Sequence, residues 1–206
     1  LSKATLDLVH NIFGKYGLVI LNPNNKSLKK LMIDVFIDEI KESTCYNLVS
    51  KTNDKLVEFS KGKIKLQVNP RLINLFYIKN NLRSRIEKNG LVYKVLGSET
   101  SFSKDEIIKE IKNHPERFSP NVLIRPLYQE TILPNLAYVG GGSEIAYWLQ
   151  LKDYFEKKNI TFPILSIRNS VLLIHKKHTN NFKKLNLSIE HFFKDNEYLL
   201  KFYTNK

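Results

Sequence analysis

The sequence predicts a layered α/β domain with parallel strands, interrupted by a small antiparallel β segment and followed by helices. Three observations carry that reading. Short apolar runs bounded by turn residues alternate with helical periodicity, as buried parallel strands alternate with the helices that cover them. Between about residues 46 and 100 that texture gives way to short alternating runs and hairpin signals. From Thr179 onward only helical patterning is left. The boundaries follow: 1–45 as the first part of the α/β core, 46–117 as an inserted β-rich segment with a closing helix, 118–178 as the second part of the core, and 179–206 as terminal helices.

Residues 2–14 read as a helix, with Leu6, Val9, His10 and Phe13 on one face and Gly14 placed to end it. Tyr16 to Leu21 is an apolar run closed by Asn22-Pro23-Asn24-Asn25, the pattern of a strand buried on both faces. Ser27 is placed to cap a helix carrying Leu28, Leu31, Met32, Val35, Phe36 and Ile40. Lys63 to Val68 alternates as a half-exposed strand does, and Asn69-Pro70 closes it. Leu75 to Ile78 runs into a turn at Lys79-Asn80-Asn81. Arg83–Glu87 and Leu91–Leu96 flank Asn89-Gly90, a strong hairpin signal. Arg71, Arg83 and Arg85 fall on this sheet, facing either a ligand or solvent. Ser103 to Glu106 is a capping box that opens a helix with Ile107, Ile108 and Ile111 on one side, and Pro115 ends it.

Composition bounds the function classes. The formal net charge is +13, which favours an anionic partner: nucleic acid, an anionic lipid surface, or a phosphorylated or carboxylated small molecule. The lysines are spread along the chain, as on ordinary solvated faces. The lone Cys45 excludes an intrachain disulfide and fits a reducing cytoplasm. The longest uninterrupted apolar run, Ile145 to Leu149, is far short of the roughly 20 residues of a membrane-spanning helix. The opening on Leu1, directly into a helical pattern, reads as the interior of a longer protein.

The densest chemistry lies in Arg117 to Gln150. Pro120 suits the first position of a helix over 121–133, capped by Ser119 and bent or delayed by Pro126. On such a helix Asn121, Arg125 and Gln129 form one row at four-residue spacing. The row suits a carboxylate or a hydroxyl-rich ligand, with Arg125 as the bidentate partner, or else a helix end held against its neighbours. Leu136 to Val139 reads as a second strand. Gly140, Gly141 and Gly142 follow, and Ser143 opens a helix to about Lys158. Strand, glycine turn and helix bring backbone N–H groups to a ligand. The dinucleotide fingerprint is not met, because Ile145 stands where a small residue is required. Glu144, in the first turn, stabilises the helix but repels phosphate, so an amine or hydroxyl is the expected ligand there. Trp148 reads as core. Phe162 to Ile167 is a third strand. Arg168-Asn169-Ser170 then marks either a bend reaching a pocket or a simple turn, before the apolar run Val171–Ile174. His175 and His178 lack a third ligand nearby, so no metal site is expected.

HPERFSPNVLIRPLYQETILPNLAYVGGGSEIAYWLQLK, followed by FPILSIRNS, closely resembles the cysteine ligases of bacillithiol biosynthesis, the BshC family. YGLVILNPNN with LKKLM, and LFYIKNNLRSRI, follow in the same order, so the resemblance covers nearly the whole chain. It implies an enzyme adding cysteine to glucosaminyl-malate. It further implies a partial Rossmann-like core akin to class I aminoacyl-tRNA synthetases, with inserted connecting segments, and terminal helices leading to a coiled coil that makes a homodimer. The family's TGQQ-type motif and first strands are not in this sequence, so the chain is expected to be an internal portion, inactive by itself. Ser143 stands where a fourth glycine is expected. The resemblance carries over, residue by residue, to Asn121, Arg125, Gln129, Gly140, Gly141, Gly142, Ser143, Glu144, Arg168, Asn169 and Ser170. Of these, Glu144 and Arg125 are expected to be catalytic and the others to contact substrate. A nucleotide, ATP or ADP, is the one cofactor it raises; no nucleic-acid or membrane partner is implied. Two other classes fit the residues: a nucleotide-sugar or nucleotidyl transferase on the same fold, and a nucleic-acid-binding module. The second lacks a clustered basic stripe with interleaved aromatics.

Overall fold

A computed structural model describes residues 2–79 and 82–204. They form two compact units, one ending at Arg168 and one beginning at Asn169. In the first unit, α1 (Ser2–Phe13) runs into a short 3-10 turn (Gly14–Tyr16). The apolar stretch 18–21 that follows has no ladder partner among the described residues and is largely exposed, with Val19 63% accessible. The expected first strand is therefore absent. The expected single helix after it is two, α2 (Lys26–Lys30) and α3 (Ile33–Glu42). Asn25 caps α2 in place of Ser27, accepting the Ser27 N–H at 2.8 Å.

The inserted segment opens with a helix, α4 (Thr44–Phe59), where helical periodicity was expected to fade. Its buried stripe is Cys45, Val49, Thr52 and Asn53, which is helical in spacing but half polar in chemistry. Residues 63–68 are extended yet join no sheet. A side chain supplies their partner instead. The buried Gln150 accepts from the N–H of Gln67 and Val68 at 3.1 and 3.3 Å and donates to the Val68 carbonyl at 2.9 Å. It also donates to Asn53 Oδ1 at 2.6 Å, so the amide has no group left unmatched.

The main sheet is antiparallel, which corrects the expectation of a parallel core. It contains β1 (Leu75–Lys79), β2 (Leu82–Asn89), β3 (Val92–Val95), β4 (Ser101–Ser103) and β5 (Phe118–Pro120), in the order β4-β3-β2-β1-β5. Short connections dictate this, because hairpins join only antiparallel neighbours. Lys79 pairs with Leu82, and Asn80 and Asn81 between them lie outside the described residues. Asn89 pairs with Val92 across Gly90-Leu91. Gly90 has φ +60°, at the first loop position that favours glycine in a tight hairpin. Ser119-Pro120 belongs to β5 and does not cap a helix.

Helix α5 (Lys104–Asn113) opens with the expected capping box, Ser103 and Glu106 exchanging bonds. It packs on α3 and on β3 and β4. The core between them holds Phe36, Ile40, Tyr77, Ile86, Tyr93, Ile107, Ile111 and Phe118. Tyr77 meets Phe102 and Phe118 edge-on, each at 5.4 Å between ring centroids.

Parallel pairing is confined to β6 (Ala137–Gly140) and β7 (Ile164–Ile167), with Ala137 opposite Ile164 and Gly140 opposite Ile167. Two helices, α7 (Gly142–Leu149) and α8 (Lys152–Lys157), form the crossover. Before them stands α6 (Arg125–Ile132). In the second unit, residues 171–174 are irregular, α9 spans Lys176–Lys184, a 3-10 turn spans Ile189–Phe193, and α10 spans Asn196–Thr204. His175 caps α9 by accepting the Lys177 N–H.

A buried polar relay ties these parts together. Glu39 Oε1 accepts from the Asn74 N–H at 2.9 Å and from its side-chain amide at 2.8 Å, while Oε2 accepts the Cys45 N–H at 3.2 Å. Asn74 Oδ1 accepts from Asn121 Nδ2 at 2.8 Å, and the Asn74 carbonyl accepts the Asn121 N–H at 3.0 Å. Burial pushes the Glu39 carboxyl up from the usual 4.5 to about 6, against the pull of its hydrogen bonds. The folded state thus favours the protonated form. That contribution is complete below pH 4.5 and is lost as the pH rises through 6. The stability of Glu39→Gln relative to the parent, from urea titrations, should accordingly rise by about 1.5 kcal/mol between pH 4.5 and 6.5. A difference that is flat across this range would refute the account.

Candidate functional site

Helix α6 starts at Arg125, four residues later than the sequence suggests, with Pro126 in its first turn. Asn121 lies outside it. The Asn121 Oδ1 accepts from the N–H of Leu123 and Ile124, and its amide turns to Asn74. The expected row of three is therefore a pair. Arg125 Nη1 donates to Gln129 Oε1 at 3.2 Å, while Asn121 holds the turn before the helix. Gln129 in turn donates to the buried Glu130, whose carboxylate receives the backbone and side-chain N–H groups of Asn135.

The other side of the site comes from the end of β6 and the first turn of α7. Gly141, not Ser143, is the N-cap residue. Glu144 Oε2 accepts its N–H at 2.8 Å, one half of a capping box that glycine has no side chain to complete. That bond is the first cause holding the Glu144 carboxyl below the ordinary range; the Tyr138 hydroxyl and the charges of Arg168 and Arg125 add to it. The carboxylate is therefore ionised at neutral pH and suits holding a cation better than taking up a proton.

Two tyrosines, which the sequence presents only as packing residues, join the two sides. Arg125 Nη2 donates to the Tyr147 hydroxyl at 2.7 Å, and the Tyr138 hydroxyl donates to Glu144 Oε1 at 3.3 Å. Burial works against the charge of Arg125, but the Tyr147 and Tyr138 oxygens outweigh it and raise its pKa further. Tyr147 stands three residues beyond Glu144 on α7, a helical neighbour, and that spacing was the available sequence signal. Trp148, expected in the core, is fully buried and stacks on Tyr138 with centroids 4.2 Å apart.

The three glycines differ in what they do. None has a positive φ, so none is required by backbone conformation. A Cβ on Gly140 would stand 2.7 Å from the Tyr138 ring, whereas one on Gly142 would meet nothing within 4 Å. One on Gly141 would lie 3.4 Å from Arg168 Nη2 and 3.5 Å from Glu144 Oε2. Arg168, at the end of β7, therefore joins the cluster beside Gly141, and its N–H donates to the Gly140 carbonyl at 2.9 Å. Ser143 is exposed in the first turn of α7. Asn169 and Ser170 open the second unit and are exposed. Among the described residues, no group of three or more His, Cys, Asp or Glu side chains is placed to hold a metal ion. No described helix is long and apolar enough to cross a membrane.

The arrangement thus sets two guanidinium groups, an ionised carboxylate, two phenol hydroxyls and the unpaired first-turn N–H groups of α7 around one strand end. Its charges suit a ligand that bears a carboxylate together with an amine or hydroxyl.

Comparison with known proteins gives a consistent result. Residues 1–169 match the family described as bacillithiol biosynthesis BshC, N-terminal Rossmann-like domain. The BshC protein of Flavobacterium johnsoniae, a cysteine ligase by name, is 48% identical over 206 residues, all of this chain and 38% of the relative. That of Christiangramia forsetii is 48% identical over 193 residues, 94% of this chain and 35% of the relative. That of Staphylococcus aureus is 28% identical over 183 residues, 89% of this chain and 34% of the relative. The chain thus spans less than two fifths of the length of these relatives.

Gly140→Ala should destabilise the fold by about 1–3 kcal/mol in denaturant titrations, because the Tyr138 ring it would strike is pinned against Trp148. Gly142→Ala, in open space, should be neutral or stabilising by up to about 1 kcal/mol. Equal effects at the two positions would contradict this division of labour.

Proposed function

The chain belongs to the BshC family of bacillithiol biosynthesis, and on that premise we propose that it is part of a ligase that joins cysteine to glucosaminyl-malate through an amide bond. The observation that carries the reading is the pairing of Arg125 and Glu144, opposite charges held in one half-buried cluster by Tyr147 and Tyr138. A guanidinium and a carboxylate set apart in this way match substrates that carry a carboxylate together with an amine. The names of the relatives, cysteine ligases, support the same class.

In this proposal Arg125 holds the carboxylate of cysteine or of the malate moiety, with Arg168 as the second cation. Glu144 orients the sugar amine as an ammonium ion. The amine sheds one proton to a base other than Glu144, since a carboxyl with a lowered pKa is a poor acceptor. The neutral nitrogen then attacks the cysteine carboxyl carbon and forms the C–N bond; one carboxyl C–O bond breaks, and that oxygen leaves as water with the second amine proton and the proton the base had taken. A nucleotide that first phosphorylated that oxygen would make it a better leaving group.

The test uses the full-length protein. Arg125→Ala, and Glu144→Gln, which keeps an acceptor for the Gly141 N–H, should each lower cysteine addition by about 100-fold or more without changing the melting temperature appreciably. Parent-like turnover in both variants would overturn the assignment of this site.

A further inference from the structure

A cavity lined by none of the side chains of the Arg125 cluster lies on the antiparallel sheet. It has a volume of about 770 Å³ and opens between residues 68–74, strands β1 and β2, and residues 121–122. That volume is in the range of small-molecule sites. Its lining includes three arginines, Arg71, Arg83 and Arg85, against a single carboxylate, Glu87; Lys88 also borders it, but its side chain alternates to the other face of β2 and lies over the Tyr93 ring. Arg83 and Arg85 are two residues apart on β2 and so project from the same face. Glu87 stands opposite Lys94 in the ladder and has a basic neighbour of its own.

The arginines differ in their freedom. Arg83 is fixed: its guanidinium lies 3.7 Å over the Phe76 ring and donates to Ser119 Oγ and to the Pro120 carbonyl, each at 3.1 Å. Arg71 and Arg85 are exposed, and neither side chain makes a hydrogen bond or ion pair among the described residues. A solvated sheet face does not by itself require three arginines around one concavity. Amides complete the wall, with Asn69 and Asn89 exposed at the rim and Asn74 and Asn121 at the relay. The one aromatic ring in the lining, Phe76, is already covered by Arg83. A nucleobase would therefore find no free face to stack on.

We propose that this groove binds a small, multiply charged anion: two or more phosphate or carboxylate groups on a polar, hydroxyl-bearing body, without a nucleobase. Arg71 and Arg85 supply the guanidinium forks that engage it, and Arg83 supplies a fixed positive field. The proposal does not rest on the ligase reading, since none of these cations belongs to the Arg125 cluster.

Calorimetric titration of the 206-residue chain with inorganic pyrophosphate, and separately with tricarballylate, tests it. The expected result is saturable one-to-one binding of at least one probe. Affinity should fall tenfold or more in Arg71→Ala/Arg85→Ala, fall with added salt, and stay unchanged in Arg125→Ala. The tighter probe assigns phosphate or carboxylate as the preferred group. Both substituted side chains are exposed and unpaired, so the double variant should melt with the parent. No saturable binding of either probe, binding that survives the double substitution, or displacement of pyrophosphate by adenosine would each overturn the proposal.

Discussion

The buried carboxylate of Glu39 is the constraint on which the rest of the first unit depends. It lies at the end of α3 and fixes three backbones at once: the start of α4 through Cys45, the approach to β1 through Asn74, and, by way of Asn74, the turn at Asn121. The Asn121 carbonyl then accepts the Arg125 N–H at 2.9 Å and so sets the start of α6. A chain of buried polar groups is stable only while each member is matched, because one orphaned donor or acceptor costs about 1–3 kcal/mol. The position of Arg125 is thus settled by groups some distance from any ligand it would hold. The same relay borders the arginine-lined groove through Asn74 and Asn121, so the groove and the start of α6 are built on one set of hydrogen bonds.

Side chains repeatedly stand in for missing backbone partners. Gln150 serves the extended segment 67–68 as an adjoining strand would. Glu144 serves the Gly141 N–H, and Glu130 serves Asn135. Buried Lys29 donates a hydrogen bond to the Phe118 carbonyl at 2.6 Å and lies over the Tyr128 ring. Burial, with the nearby charge of Arg83 second, pulls its pKa down to about 8. These substitutions allow a small antiparallel sheet and a two-stranded parallel sheet to share a unit without a continuous ladder joining them.

What the sequence disclosed follows from which signals are local. The Ser103–Glu106 capping box, the Asn89-Gly90 hairpin, and the succession of β6, glycine turn and α7 were legible because short-range chemistry sets them. α4 was hidden because Thr52 and Asn53 occupy half its buried stripe, so helical spacing carried little hydrophobic contrast. The segment 63–68 alternates like a strand, but its partner is a glutamine more than eighty residues away. The run Tyr16 to Leu21 was equally misleading, since an apolar run reports what can be buried and not what is. At the site, Arg125, Gln129, Glu144 and Arg168 lie in one cluster. Asn121 does not, because an asparagine ahead of a helix satisfies nearby N–H groups first. Tyr138 and Tyr147 escaped notice because an aromatic residue at core spacing shows its ring and not its hydroxyl.

Trp148 is the only tryptophan in the chain, and it lies against the ring of the tyrosine whose hydroxyl meets Glu144. Excitation at the red edge of the aromatic band therefore addresses a single chromophore, one ring removed from the proposed ligand. Its emission reads the packing behind the strand end. The molecule carries its own optical label for the cluster around Glu144.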